Sequence, residues 1–344
     1  MSGNDSPDGT EPNVDAVVRD LLAGDHAALA RALTTIENRE PGYRDLVSAL
    51  HPHAGSATIV GVTGSPGAGK STLVDRLASA YRERGETVGV IAIDPTSPFT
   101  GGAVLGDRVR MDANAGDMGV FVRSMSARGT LGGLSGATAD AITALDAFGK
   151  DRIIVETVGA GQNEIDVVRT ADTVCVLLQP GSGDAVQTLK AGILEIADAF
   201  VVNKADLAGS DRLVSDLREM VDLGEEAGSH RIADANAGVA WEPPIVETVA
   251  TEGEGVEDLL AAIDEHGAFL ADSGLEAEKA RTRHAERIRT LLRDDLRETV
   301  EREIEAAGGF EELVGAVHRR ETDPYAVVEE LLAPVEDYLN ETGH

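Results

Sequence analysis

The stretch GVTGSPGAGKST, residues 61–72, constrains the fold of this chain more than any other part of the sequence. It contains the phosphate-binding pattern G-x-x-x-x-G-K-[ST], with Gly64, Gly69, Lys70 and Ser71 at the defining positions. The apolar run before it predicts a buried strand, and the residues after Lys70 have the apolar spacing of a helix. A strand, a glycine-rich loop and a helix in this order predict a loop that binds the phosphates of a nucleoside triphosphate.

The predicted phosphate contacts come from the backbone of this loop and from two side chains. Converging N–H groups and the positive end of the helix dipole favour phosphate oxygens. Lys70 supplies a mobile ammonium group and is expected to take part in catalysis, and the Ser71 hydroxyl can bind Mg²⁺. The predicted nucleotide-binding residues here are Gly64, Ser65, Pro66, Gly67, Ala68, Gly69, Lys70, Ser71 and Thr72.

Apolar runs alternate with helical segments through the middle of the chain. This alternation predicts an α/β fold with a mainly parallel, doubly wound sheet, whose ligands bind beyond the carboxyl ends of the strands. The predicted strands are Thr58–Thr63, Val88–Ile93, Val120–Arg123, Ile153–Thr157, Thr173–Leu178, Phe200–Val202 and Ile245–Val249.

A second motif, NKAD, indicates which base the nucleotide carries. Asn203, Lys204 and Asp206 follow a predicted strand, which places them on the base side of the nucleotide. A carboxylate at Asp206 can accept from both the ring N–H and the exocyclic amine of guanine, whereas adenine offers neither donor on that edge. The motif therefore predicts GTP and GDP as ligands. Backbone N–H groups of Val249, Ala250 and Thr251, after the last strand, are expected to close over the base.

Acidic residues are expected near the phosphates. Glu156 ends the strand IIVE and is predicted to hold Mg²⁺ through water or to orient the attacking water, and the Gly159 N–H is predicted to bind the γ-phosphate. Asp94 ends the second strand, and Asp107 lies in a glycine-rich loop of the kind that the γ-phosphate and Mg²⁺ order. Asp107 as an ordinary turn residue is the open alternative. The predicted metal residues are Ser71, Asp94, Asp107 and Glu156, and the three acids are also predicted to be catalytic.

Composition restricts the partners and the compartment. The chain of 344 residues has 61 acidic and 30 basic residues, a formal net charge of −31, which disfavours nucleic acid as a partner. Such acidity with few lysines resembles proteins of salt-accumulating halophiles. No apolar run approaches the roughly 18 residues of a membrane span, so no membrane partner is expected. The single cysteine, Cys175, excludes a disulfide within the chain and favours a cytoplasmic location.

Four segments are predicted along the chain: a disordered tail at 1–13, an N-terminal helical extension at 14–55, a P-loop GTPase domain at 56–266 and a C-terminal helical region at 267–344. In the last region, apolar residues from Ile288 to Ile304 recur every four residues and predict a long helix that needs a partner surface, either its own domain or a second subunit. The stripe 325–339 predicts another helix, which Pro334 is expected to kink or break.

Five motifs in order resemble the MeaB-type family of GTPases associated with methylmalonyl-CoA mutase, which includes proteins once labelled arginine/ornithine transport kinases. They are SPGAGKST, DPTSPFTGGAVLGDRVRM, VETVGAGQNEIDV, QPGSGDAVQ and NKAD. The resemblance covers residues 15–300. It implies a GTP-hydrolysing chaperone that guards cofactor loading of the adenosylcobalamin-dependent mutase, and a homodimer formed through C-terminal helices.

The resemblance also implies roles for individual residues. Asp94, Asp107 and Glu156 correspond to the Mg²⁺ and switch apparatus, and residues 179–190 correspond to a further switch that senses the partner. Val249–Ala250 stands where the family has Ser-Ala. Because no arginine finger or glutamine directly follows the second phosphate motif, hydrolysis by the isolated protein is expected to be slow.

Two other functions stay open from the sequence. A nickel- or metal-insertion GTPase would need a cluster of cysteine and histidine ligands, for which the chain offers Cys175 and the pair His51 and His53. A P-loop kinase acting on a small molecule would need a second substrate pocket, and no residues nominate one.

Overall fold

The computed structural model describes residues 13–94, 117–126, 133–157, 170–181, 196–226, 240–306 and 308–342. The described strands are β1 (Thr58–Gly64), β2 (Val88–Asp94), β3 (Val120–Ser126), β4 (Arg152–Glu156), β5 (Thr173–Leu178), β6 (Ala199–Asn203) and β7 (Ile245–Thr248). The described helices are α1 (Val14–Leu22), α2 (His26–Asn38), α3 (Tyr43–Leu50), α4 (Lys70–Glu83), α5 (Gly133–Ala147), α6 (Ser210–Glu226), α7 (Val256–Ser273), α8 (Leu275–Ala306), α9 (Phe310–His318) and α10 (Pro324–Thr342), with a short 3₁₀ turn at His51–His53.

The strands form one parallel sheet in the order β3-β2-β4-β1-β5-β6-β7. Each predicted strand is present, so the prediction of an α/β, doubly wound P-loop fold is confirmed. The chain leaves β1 toward β2, on one side of the sheet, and leaves β5 toward β6, on the other side. The two connections therefore diverge between β1 and β5, and ligands of open α/β sheets bind at such a point.

Each face of the sheet carries its own apolar core. One core packs α1, α2, α3, α5 and α6 onto the sheet, and the other packs α4 and α7 onto the opposite face. Leu73, Leu77, Ala78 and Tyr81 form the buried face of α4, as their spacing predicts, and none of the four is exposed. Burial of such large apolar side chains stabilises the fold by about 1.5–3 kcal/mol each. This packing fixes α4, and therefore the loop at its start, against the sheet.

Polar contacts cap helix α2 and tie it to the sheet. The Asp25 carboxylate caps α2 by accepting a hydrogen bond of 2.7 Å from the Ala27 N–H. Arg123 of β3 forms an ion pair of 2.6 Å with Glu37 of α2. Helix α2 therefore packs on the sheet itself.

A buried polar cluster lies at the amino ends of β5 and β6. Asp198 is 4% exposed and accepts from the Val174 N–H at 2.9 Å, while the Lys279 ammonium of α8 lies 3.4 Å from its carboxylate. His266 of α7 contacts the Thr173 hydroxyl at 2.9 Å. Arg283 pairs with Asp172 just before β5. The cluster anchors the first turns of α8 to the amino edge of the sheet.

Burial shifts the pKa values of Asp198 and His266 in opposite directions. It raises the pKa of Asp198 to about 6, an effect that the Lys279 ammonium partly offsets. It lowers the pKa of His266 to about 3, and the Lys279 charge acts in the same sense. His266 is therefore neutral at physiological pH, although its Nε2 atom lies 3.3 Å from the Asp198 carboxylate.

Contacts within the chain divide it into residues 1–283 and 284–344. The second unit consists of the remainder of α8, α9 and α10. Ile288, Leu292 and Leu296, the stripe predicted from four-residue spacing, are each more than half exposed on α8. The predicted break at Pro334 is wrong, because α10 continues through this residue to Thr342. The missing proline N–H removes only a single hydrogen bond from a helix of 19 residues.

None of the helices that the structure describes is both long enough and apolar enough to cross a bilayer.

Candidate nucleotide site

The loop between β1 and α4 lies where the connections of the sheet diverge. Gly64 ends β1 with a φ of 137°, and a Cβ atom at this position would meet the Leu177 carbonyl oxygen of β5 at 2.0 Å. The Ser65 N–H donates to the same Leu177 carbonyl at 3.3 Å. Glycine is therefore required at residue 64 both by its backbone angle and by the close approach of β5.

Lys70 directs its charge back into this loop. Its ammonium group donates to the carbonyls of Gly64 at 2.7 Å and Ser65 at 3.0 Å, and the residue is 7% exposed. Helix α4 begins at Lys70, and Gly69 before it provides no side-chain cap. The N-cap position thus supplies no side-chain acceptor to the first N–H groups of α4, and phosphate oxygens are suitable acceptors for them.

Ser71 and Glu156 meet beside the start of α4. The Ser71 hydroxyl donates to the Glu156 carboxylate over 2.6 Å, which joins the P-loop to the carboxyl end of β4. The next residue, Thr157, keeps β4 aligned with β1 because its N–H donates to the Val62 carbonyl at 3.0 Å and its hydroxyl to Thr63 at 2.9 Å. A hydroxyl and a carboxylate oxygen in contact form a donor set that suits Mg²⁺.

Asn203 links the end of β6 to the P-loop. Its amide nitrogen donates to the Ala68 carbonyl at 2.7 Å, and its amide oxygen accepts from the Thr248 hydroxyl and the Ala250 N–H, each at 3.1 Å. Gly69 lies directly beneath it, since a Cβ there would be 2.4 Å from the Asn203 nitrogen. Thr248 is missing from the residues singled out in the sequence; in the structure it supplies the hydroxyl that Val249 does not have.

Lys204 and Asp206 follow Asn203 and differ in their surroundings. Lys204 has a positive φ of 59°, and its ammonium donates to the Gly67 carbonyl at 2.8 Å and to the Gln179 side-chain oxygen at 2.6 Å. Asp206 is exposed and forms no hydrogen bond or ion pair with the described residues. The structure thus braces Lys204 against the P-loop and leaves the Asp206 carboxylate available to a ligand.

In the loop after β7, two of the three backbone N–H groups that were predicted to contact the base are hydrogen-bonded within the protein. The Val249 N–H donates to the Glu254 carbonyl at 3.1 Å, and the Ala250 N–H donates to Asn203. Only the Thr251 N–H, of these three, has no acceptor within the described ranges. Arg76 of α4, which the sequence did not suggest, donates to the carbonyls of Ala250 at 3.0 Å and Thr251 at 2.7 Å.

Several predicted site residues are not placed by the described structure. Asp107 and Gly159 lie outside the described residues, as does the predicted switch segment 179–190 apart from residues 179–181. Asp94 ends β2 in register with Ser126 of β3, which puts its backbone at the carboxyl edge, but its side chain is not described. Pro66 and Thr72 are exposed in the P-loop and at the start of α4.

The cysteine and the two histidines considered for a metal-insertion role do not converge. Among the described residues, no three histidine, cysteine, aspartate or glutamate side chains form a group that can hold a metal ion. Cys175 is fully buried in β5, where desolvation raises the pKa of its thiol to about 12. It therefore behaves as a small apolar side chain. His51 and His53 lie exposed in the 3₁₀ turn.

Comparison with known proteins decides the family. Residues 29–305 match the family described as "Methylmalonyl Co-A mutase-associated GTPase MeaB". The chain belongs to the MeaB family of GTPases. It is therefore a GTPase, and the resemblance seen in its motifs is confirmed.

Family members from distant organisms align over most of the chain. The "Putative GTPase" of Pyrococcus horikoshii is 48% identical, over 94% of this chain and 98% of its own length. The mouse "Methylmalonic aciduria type A homolog, mitochondrial" is 32% identical, over 83% of this chain and 70% of its own. Among solved structures, the LAO/AO transport system kinase superposes with a TM-score of 0.67 at 24% identity, over 95% of this chain and 98% of its own, which supports the fold.

Proposed function

We propose that this chain is a GTP-binding and GTP-hydrolysing chaperone of an adenosylcobalamin-dependent methylmalonyl-CoA mutase. In this proposal, GTP hydrolysis is coupled to the loading and protection of the mutase cofactor. The observation that carries the nucleotide part is the exposed Asp206 carboxylate, which no described residue pairs with, next to Asn203 and Lys204, which are themselves hydrogen-bonded to the P-loop. The mutase part is supported by the description of the matched family.

Guanine recognition follows from this arrangement. Asp206 accepts from the ring N–H and the exocyclic amine of guanine, and adenine would leave the carboxylate without these donors. Loss of a hydrogen bond to a charged group costs about 1.5–3 kcal/mol, which corresponds to a preference for GDP over ADP of roughly tenfold or more. Gly64, Ser65, Pro66, Gly67, Ala68, Gly69, Lys70, Ser71 and Thr72 are proposed to bind the phosphates.

Mg²⁺ is the proposed metal. The contact between the Ser71 hydroxyl and the Glu156 carboxylate fits the ion, because both groups offer the oxygen ligands that it prefers. When bound, the ion would neutralise charge on the β- and γ-phosphates. Glu156 is proposed to hold the ion through water or to orient the attacking water, with Asp94 and Asp107 in the same apparatus and the Gly159 N–H at the γ-phosphate.

Affinity capture with the full-length chain tests the proposed mutase partner. Immobilised full-length chain is loaded with GDP or with a non-hydrolysable GTP analogue and exposed to lysate, and retained proteins are identified by mass spectrometry. We expect the mutase to be retained in one nucleotide state and to accelerate the slow GTP hydrolysis of the purified chain. Retention of no cobalamin enzyme in either state contradicts the mutase proposal but leaves the nucleotide proposal intact.

A homodimer formed through the C-terminal helices is part of the proposal. Its support is the stripe of Ile288, Leu292 and Leu296 on α8, since three large apolar side chains in a row are costly to leave in water. A cytoplasmic location is also proposed, on the ground that the single cysteine is a buried, reduced thiol.

A further inference from the structure

Arg76 holds the loop that follows β7 from the side of the P-loop helix. Its Nε and Nη2 atoms donate to the carbonyls of Ala250 at 3.0 Å and Thr251 at 2.7 Å, across 174 and 175 residues of sequence. A guanidinium presents its donors in a rigid planar fork, so two bonds to consecutive carbonyls fix both their distance and their orientation. Because α4 begins at the phosphate loop, Arg76 couples the position of this loop to that of Lys70.

Asn203 holds the same loop at a second point. Its amide oxygen accepts from the Ala250 N–H at 3.1 Å, and its amide nitrogen donates to Ala68 in the P-loop at 2.7 Å. Ala250 is therefore bound through its N–H by one group and through its carbonyl by another. Both groups are tied to the phosphate-binding segment, which leaves the peptide between Ala250 and Thr251 little freedom to rotate.

The chemistry of that peptide gives Arg76 a role beyond bracing. A trans peptide is planar, and its carbonyl oxygen and N–H hydrogen point in opposite directions. The Ala250 carbonyl faces Arg76, so the Thr251 N–H of the same peptide points away from Arg76. A cation bound to the carbonyl also polarises the peptide and makes its N–H a stronger donor. Within the described part of the chain this N–H has no acceptor.

We propose that Arg76 is a positioning residue for base selection, which orients and polarises the Thr251 N–H toward the 6-oxo group of guanine. Guanine carries an acceptor at that position and adenine carries an amino donor, so a fixed N–H favours guanine independently of Asp206. The inference rests on the proposed guanine nucleotide site. It assigns to Arg76, on the helix that begins at the phosphates, the positioning of the predicted contact between this loop and the base.

The test uses nucleotide analogues that change one base position at a time. The dissociation constants of GDP, 6-thio-GDP and IDP are measured by competition against fluorescent GDP, with the full-length chain and its Arg76→Gln variant. Sulfur at position 6 is a weak acceptor and weakens the contact to Thr251, whereas IDP lacks the 2-amino group that Asp206 binds. We expect 6-thio-GDP to bind wild type about fivefold to tenfold more weakly than GDP, the range of one neutral hydrogen bond.

In Arg76→Gln, the penalty for 6-thio-GDP should fall below about twofold, while the penalty for IDP stays as in wild type. A merely structural arginine would change all three constants by the same factor. Arg76→Lys, which keeps a cationic donor, should give an intermediate penalty and carries the test if the glutamine variant does not fold. Arg84→Gln is the matched control, because Arg84, directly after α4, pairs with Glu257 and Asp264 of α7 and makes no bond to the loop after β7 among the described residues.

Two results would overturn the inference: a full 6-thio penalty retained in Arg76→Gln, or no such penalty in wild type. Failure of the underlying site gives a different result. If wild type binds ADP as tightly as GDP, the guanine proposal itself is wrong, whatever the behaviour of Arg76.

Discussion

The Ser71 hydroxyl and the Glu156 carboxylate, 85 residues apart in the sequence, are joined by a hydrogen bond of 2.6 Å. This contact connects the first turn of α4 to the carboxyl end of β4. It places the acid predicted for hydrolysis within reach of the residue predicted to bind Mg²⁺. Both groups are part of the proposed catalytic apparatus, so the contact leads directly to a test.

Glu156→Gln should lower the rate of GTP hydrolysis at saturating GTP by about a hundredfold, because an amide neither orients water as a base does nor balances the charge of Mg²⁺. The affinity for GDP should change by less than about threefold, since the glutamine oxygen can still accept from Ser71 and Asp206 is unchanged. Phosphate release and GDP titration measure the two effects. Glu86→Gln, which alters a carboxylate paired with Arg152 at the other end of the sheet, is the control. An unchanged hydrolysis rate in Glu156→Gln would rule out both proposed roles of this acid.

Gly69→Ala should abolish tight nucleotide binding. The new Cβ would lie 2.4 Å from the Asn203 nitrogen, and the backbone has a φ of 94° that side chains resist. Gly85→Ala is a matched control, because Gly85 has a φ of 84° with nothing within 4 Å of a new Cβ. Each variant should lose about 1–2 kcal/mol of unfolding free energy from the backbone angle alone. Only Gly69→Ala should also lose GDP affinity, and equal affinities in the two variants would contradict the role of this contact.

The buried carboxylate of Asp198 should make stability depend on pH. Its pKa is raised from 3.8 to about 6 in the folded state, so its contribution is fully present below pH 4 and is lost as the pH rises through 6. His266, whose pKa is lowered to about 3, acts oppositely: its contribution is present above its unfolded pKa and is lost as the pH falls through 3. Wild type should therefore show a shallow profile between pH 4 and 6.

Asp198→Asn removes one of these opposing contributions. Between pH 4 and pH 7, the unfolding free energy of the variant should shift upward relative to wild type by something on the order of 2–3 kcal/mol. Denaturant titrations at a series of pH values give the difference. A difference that is constant across this range would show that the Asp198 carboxyl does not titrate differently in the folded and unfolded states.

The net charge of −31 should make stability increase with salt. Added KCl screens the mutual repulsion of acidic side chains, and at 1 M the Debye length falls to about 3 Å. The melting temperature should therefore rise between low salt and molar KCl. Thermal unfolding with sorbitol at matched osmolality separates charge screening from a general solvent effect. A melting temperature that does not respond to KCl would exclude halophilic adaptation.

Leu292→Glu should weaken the proposed homodimer, because it puts a charge in the middle of the exposed apolar stripe of α8. Sedimentation equilibrium of the full chain should show a dimer for wild type and a lower association constant for the variant. Arg293→Glu makes a larger charge change at an exposed neighbour off the stripe and should leave the dimer intact. A wild-type chain that sediments as a monomer at all tested concentrations would contradict the proposal.

Local sequence patterns predicted the parts of the site that depend on local chemistry. Glycines at 64 and 69 and the charged residues of NKAD have fixed spacing because the backbone must meet phosphate and a carboxylate must meet the base. The strands β1, β5 and β6 were predictable because nearly all of their residues are buried on both faces of the sheet. The bridging contacts of Arg76, Thr248 and Gln179 were not, since each joins residues distant in sequence and leaves no periodic signal. The break predicted as one outcome at Pro334 was wrong, because a local preference was given more weight than the continuity of a long helix.

Strands β5 and β6 each connect the two edges of the sheet that carry the polar contacts described above. At their carboxyl ends, Leu177 accepts from the P-loop and Asn203 donates to it. At their amino ends, Asp172 and Asp198 bind the first turns of α8. A six-residue strand spans about 20 Å and resists bending, because neighbouring strands bond to it on both sides. A displacement of the phosphate loop can therefore be transmitted along the rigid strands β5 and β6 to the first turns of α8.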